Sequence, residues 1–147
     1  QASDGGSSGK RVRAGKTVGV VDERSEIGAC FQGIPQNDVG LRTDILDCCP
    51  KAAGMMMLIR SMAPDVVAVD EIGGDPDLEA LRCVMNCGCR ILATVHGTSM
   101  EDIRNKPGFC RFLEEDIFER YVILGNKAGP GTVLDICDGR GRSLLCG

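Results

Sequence analysis

Apolar residues fall into short, nearly unbroken runs, separated by breaks marked with Gly and Pro. The first run, Val18-Gly19-Val20-Val21, ends at Asp22-Glu23 and predicts a buried strand with carboxylates at its carboxyl end. Residues 28–44 carry Gly33, Pro35, Asn37 and Gly40 and predict mainly loop. Pro50 suits the first turn of a helix whose apolar face runs from Met55 to Met62, and Pro64 stops it. Val66-Val67-Ala68-Val69 is a second strand, again delivering an acidic pair, Asp70-Glu71. Pro76 opens a second helix through about Cys87, with Gly88 as its carboxyl-terminal cap. Ile91 to Val95 predicts a third strand, followed by His96-Gly97. Ser99 and Asp102 have the spacing of a capping box for a short helix. Tyr121–Leu124 and Thr132–Ile136 bracket GNKAGPG and read as a terminal hairpin.

Strands that alternate with helices, each strand nearly all apolar, predict an α/β fold with a parallel sheet covered on both faces. The three predicted strands belong at its centre. Ligands in such folds gather beyond the carboxyl ends of the strands. Asp22-Glu23, Asp70-Glu71 and Thr94-Val95-His96 therefore converge on one sheet edge. Gln1 to Lys16, rich in Gly, Ser and basic residues, reads as a flexible lead-in, so the domain is expected over 18–147.

Composition narrows the function classes. The 147 residues are 43% hydrophobic, which suits one ordinary globular domain. A net charge of −4 and an aromatic content of 3% argue against a nucleic-acid partner, which needs phosphate-neutralising cations and stacking rings. No apolar run approaches the ~20 residues of a membrane span. The opening QASDGGSSGK lacks the pattern of a signal peptide, and nine cysteines, an odd number, fit free thiols. Gln1 in a polar opening suggests a piece of a longer chain.

Val66 to Glu71 has the form of a Walker B segment. Asp70 would hold Mg²⁺ through water, and Glu71 would polarise the attacking water. The bland alternative is a strand that merely ends in exposed acids. Gly15-Lys16-Thr17 imitates the end of a phosphate loop, but position 10 is Lys rather than Gly, and the tripeptide runs into a strand instead of opening a helix. It reads as a decoy. Cys83, Cys87 and Cys89 lack the paired spacing of a zinc site and read as packing thiols. The methionines at 55–57 and 62 read as core. His96, the single histidine, would be structural but for its place beside the acidic edge.

VDERSEI (21–27), PQNDVGLRTDILD (35–47), CPKAAGMMMLIRSMAPDVVAVDEIG (49–73), LATVHG (92–97) and FERYVIL (118–124) together resemble the stage III sporulation protein AA family. The resemblance runs from about Val18 to Gly139. It implies a RecA-like P-loop NTPase core related to secretion and pilus motors, using ATP and Mg²⁺. It further implies a homo-oligomer, a hexameric ring, at the cytoplasmic, mother-cell face of a sporulation membrane channel, in contact with channel proteins. By the same resemblance, Asp22 and Glu23 stand in an acidic box facing the γ-phosphate. Asp70 and Glu71 form Walker B, and Thr94 and His96 the histidine box. Arg42 and Arg60 match family arginines that stabilise phosphate charge, in cis or across a subunit boundary. Glu71, Glu23 and His96 are then the catalytic candidates, and Asp70, Asp22, Thr94, Arg42 and Arg60 the nucleotide-binding ones.

Two departures qualify that inheritance. Gly73-Gly74 occupies the place where secretion motors carry an arginine after Walker B, so that role does not transfer. The family's phosphate loop should precede Asp22 and is missing, so the chain by itself is expected neither to bind ATP tightly nor to hydrolyse it. A ring-forming scaffold with a degenerate nucleotide fold is the rival reading, and a thiol–metal module a more distant one.

Overall fold

A computed structural model describes residues 15–145. Most of the expected lead-in lies outside that range. Four parallel strands form one sheet in the order β2-β1-β3-β4, from β1 (Val18–Asp22), β2 (Thr43–Asp47), β3 (Val66–Val69) and β4 (Arg90–Ala93). Two long helices, α1 (Lys51–Met62) and α2 (Asp75–Asn86), connect β2 to β3 and β3 to β4. Two short helices, α3 (Met100–Asn105) and α4 (Phe109–Glu114), lead to an antiparallel hairpin of β5 (Arg120–Gly125) and β6 (Thr132–Asp138).

The core explains why these runs became strands. Val21, Val67 and Val69 point to one sheet face and bury against Met55 and Leu58 of α1 and Leu81 and Val84 of α2. Burial of such side chains contributes about 1.5–3 kcal/mol each. Two glycines let α1 approach closely. A Cβ on Gly19 would stand 2.8 Å from Leu58, and one on Gly54 would stand 2.6 Å from Val21. Leu58 thus seats over Gly19, and Val21 seats over Gly54.

Helix boundaries follow the predicted signals. Pro50 immediately precedes α1, Pro76 lies in the first turn of α2, and Gly88 beyond α2 has φ 80°. The Ser99 side chain accepts a hydrogen bond from the Asp102 backbone N–H at 3.1 Å, capping α3. Gly15 to Thr17 is tied down rather than loose: the Thr17 backbone N–H and hydroxyl donate to Asp65, and Lys16 pairs with the same carboxylate. That places Lys16 at the amino edge of the sheet, far from the acidic strand ends.

Three expectations are corrected. β2 was not foreseen, because TDILD has too few apolar residues to register as a buried run. It owes its strand form to pairing with β1, from Val18↔Thr43 to Asp22↔Asp47. β4 is not central among the described residues but forms an edge, and Leu92 on it is 66% exposed. Coverage of both faces also fails to appear in full. The two long helices share one face, whereas on the other the connection 23–42 packs Gly28 against Ile45 and leaves Leu92 open. No helix among the described residues is long and apolar enough to cross a membrane.

Candidate functional site

Parallel pairing in register brings the carboxyl ends of β1, β3 and β4 side by side, so their trailing residues share an edge. Glu71 sits at its centre, one residue past the strand-end Asp70. Its backbone has φ 48°, a left-handed conformation that costs an L-residue about 1–2 kcal/mol. Thr94 holds that turn, its hydroxyl accepting the Glu71 backbone N–H at 2.8 Å, while the Ile72 N–H donates to the Thr94 carbonyl at 2.9 Å. Thr94 therefore acts here as a brace for the Glu71 turn.

Both oxygens of the Glu71 carboxylate are engaged. One lies 3.0 Å from His96 Nε2, and the other pairs with the Arg24 guanidinium. The His96 side chain is 84% exposed, and its backbone carbonyl accepts a hydrogen bond from Lys106. Glu71, Thr94 and His96 are thus joined as the strand ends predict.

Glu23 shares the edge and pairs with Lys51, the first residue of α1. Lys51 is only 13% exposed, and the bond to Glu23 holds its ammonium above the ordinary lysine range, with Asp77 and Asp70 adding to the effect. Asp70 is partly buried and its Oδ1 has no hydrogen-bond partner. Burial pushes its carboxyl upward, and the nearby Lys51 charge opposes that rise. A buried carboxylate oxygen without a partner is uncommon. Asp47 Oδ1 is likewise without a partner, and among the described residues no three His, Cys, Asp or Glu side chains gather as a metal site.

Asp22 occupies a different place from the one expected. It is fully buried, and its carboxylate accepts backbone N–H bonds from Glu26 (2.9 Å), Ile27 (3.0 Å) and Gly28 (2.8 Å). Those bonds fold the loop after β1 into a fixed turn and engage both carboxylate oxygens with backbone donors. Arg42 and Arg60 do not join the edge either. Arg42 precedes β2 and donates to the Gly15 carbonyl, and Arg60 lies in the last turn of α1 just before β3 begins. Both stand toward the amino edge, so neither reaches this site within the same chain.

Sequence reasoning missed Arg24 and Lys51. Arg24 stood inside the quoted VDERSEI motif, and Lys51 follows the helix-opening Pro50, but neither pairing is visible without the fold.

A cleft lies beside the carboxylates rather than over them. It measures about 560 Å³ and runs between the free side of β4 and strand β5, with Phe109, Phe112 and Phe118 on its wall. Thr94 and His96 stand along it.

Similarity to known proteins decides the family. The model of the family described as sporulation stage III, protein AA matches residues 1–144. The chain belongs to that family. It is also 46% identical over 138 residues to stage III sporulation protein AA of Bacillus subtilis (strain 168). That match covers 94% of this chain and 45% of the relative, so the chain spans less than half the length of the stage III AA protein it matches. In this family member the strand-end cluster draws Glu23 and Arg24 from VDERSEI, whose Asp22 pins the loop behind them, Asp70 and Glu71 from VAVDEIG, and Thr94 and His96 from LATVHG.

Proposed function

We propose that this chain is the Walker B-bearing part of an ATPase core that works in sporulation. The observation that carries the reading is the Glu71 constellation: a carboxylate two residues past a buried parallel strand, braced by Thr94, touching His96, with the unpartnered Asp70 oxygen beside it. Cys48, after the acidic end of β2, has a similar left-handed turn at φ 53°, so the turn by itself is not diagnostic, and the reading rests on the grouping of Glu71 with His96, Thr94 and Asp70.

In this reading Asp70 would hold Mg²⁺ through water. The ion would supply charge neutralisation for the phosphates of ATP. Glu71 orients and polarises water, His96 steadies Glu71, and Glu23 is the second carboxylate available for proton handling. The wider core is P-loop NTPase-like, with the open side of β4 awaiting a further strand. A hexameric ring at the mother-cell face of a membrane channel belongs to the same proposal, as does an arginine such as Arg42 or Arg60 acting across a subunit boundary.

The rival reading, a non-catalytic ring-forming scaffold, draws on one observation: Glu23 and Glu71 are both already engaged in ion pairs. Glu71→Gln in the full native polypeptide separates the two. An amide keeps the shape of the carboxylate but loses the charge that polarises water. ATP binding should therefore persist while steady-state phosphate release falls by about 100-fold or more. Release that continues unchanged would move the base role to Glu23. Absence of any ATP-dependent release from the unaltered protein would favour the scaffold.

A further inference from the structure

We infer that Arg24 is a positioning residue that latches Glu71 in the ligand-free protein and transfers to the γ-phosphate when nucleotide binds. The inference rests on the nucleotide reading above.

The latch is a built feature of the fold. Asp22 pins the backbone of residues 26–28 by three hydrogen bonds, and the turn so formed carries Arg24 directly across to the end of β3. There its guanidinium meets two carboxylates, Glu71 and, at 3.0 Å, Glu26. With Arg24 in place Glu71 has one oxygen on a cation and the other on His96, and the guanidinium charge offsets the negative charge that would polarise water. Losing Arg24 would restore the full carboxylate charge that acts on a nucleophilic water.

The two ion pairs of the edge differ in which can open. Lys51 is 13% exposed, packed at the start of α1, and feels Asp70 and Asp77 besides Glu23. Arg24 is 52% exposed and, among the described residues, pairs with Glu71 and Glu26 while also feeling the Asp70 charge. An exposed pair is worth about 0.2–1 kcal/mol. A polyanionic phosphate offers a planar guanidinium a stronger, bidentate partner. Arg24 is therefore the cation that can leave, and Glu26 remains to receive it when the phosphate departs. Anion binding and release of the water-polarising carboxylate become one event, which keeps Glu71 masked until the phosphate is present.

The test uses the full native polypeptide and calorimetry with Mg²⁺ and either a non-hydrolysable ATP analogue or ADP, so the readout is affinity and not turnover. Arg24→Gln should weaken analogue binding by about tenfold or more, the size of one charge-assisted hydrogen bond, and leave ADP binding within about twofold. Arg24→Lys should recover part of the loss. Glu71→Gln, which frees Arg24, should tighten analogue binding several-fold in the native background and have no effect once Arg24 is Gln. Equal losses for analogue and ADP in Arg24→Gln would overturn the inference, as would tightening by Glu71→Gln that persists without Arg24. If the unaltered protein binds neither nucleotide, the nucleotide reading itself falls and the latch falls with it. If it binds both and Arg24→Gln changes neither affinity, only the latch is lost.

Discussion

Asp22 and Glu71 are both strand-end carboxylates, yet their surroundings give them opposite work. Asp22 is fully buried and spends its oxygens on three backbone donors. Glu71 reaches outward to Arg24 and His96. Asp22→Asn is expected to destabilise the protein by about 1–3 kcal/mol, because the amide turns one acceptor into a donor that faces backbone N–H groups. Thermal unfolding followed by circular dichroism measures the loss. A melting point unchanged from the native chain would show that the loop after β1 holds its form without that carboxylate. The turn carries Arg24, so the same variant should also reproduce part of the Arg24→Gln binding defect.

At the level of elements, the contact between α1 and β1 sets where Lys51 and Glu23 meet. Leu58 over Gly19 and Val21 over Gly54 fix both the height and the register of the helix on the sheet. Gly54→Ala tests this, because two effects compete. Alanine favours a helix interior over glycine by about 1 kcal/mol. Its Cβ would lie 2.6 Å from a Val21 methyl, and overpacking of that kind costs about 1–3 kcal/mol. Val21 is β-branched and fully buried, so it has little room to yield. The clash should win, and chemical denaturation should report a lower midpoint with an unchanged slope. A raised midpoint would mean that α1 can lift from β1 without loss.

For the molecule as a whole, the open side of β4 is the main unsettled surface. Arg90 and Thr94 donate their backbone N–H groups to the Asp65 and Val69 carbonyls of the neighbouring strand. By the alternation of a parallel ladder, Ile91 and Ala93 turn theirs toward the cleft. An exposed strand edge beside exposed apolar side chains, here Leu92, Val122 and Leu124, is a site for strand addition. The proposed P-loop NTPase core places a further parallel strand there, between β4 and β5. In the full native polypeptide, hydrogen exchange at Ile91 and Ala93 should then be slowed to the level of the β3 amides. Rapid exchange at those two amides, with β3 protected, would remove the strand-addition part of the proposal while leaving the Glu71 site intact.

Local chemistry alone determined a good deal of this protein. Runs of Val and Ile, the breaks at Pro50, Pro64 and Gly88, and the Ser99 cap act within a few residues, so they set the strands, the two long helices and the hairpin. The acidic strand ends and His96 converge because parallel strands end on a common edge, which periodicity is enough to imply. Tertiary structure decided the rest. β2 is a strand because β1 offers it hydrogen bonds across a long connection, and no local signal in TDILD reports that. The short helix α4 likewise carried no boundary signal that sequence reading picked up. Arg24 and Lys51 were ordinary surface-type cations until the Asp22-pinned loop and the start of α1 brought them to Glu71 and Glu23. Arg42 and Arg60 fell at the other end of the sheet for the converse reason: motif membership records order along the chain, whereas charge pairing depends on distance in space, which the register of the strands and the seating of α1 impose.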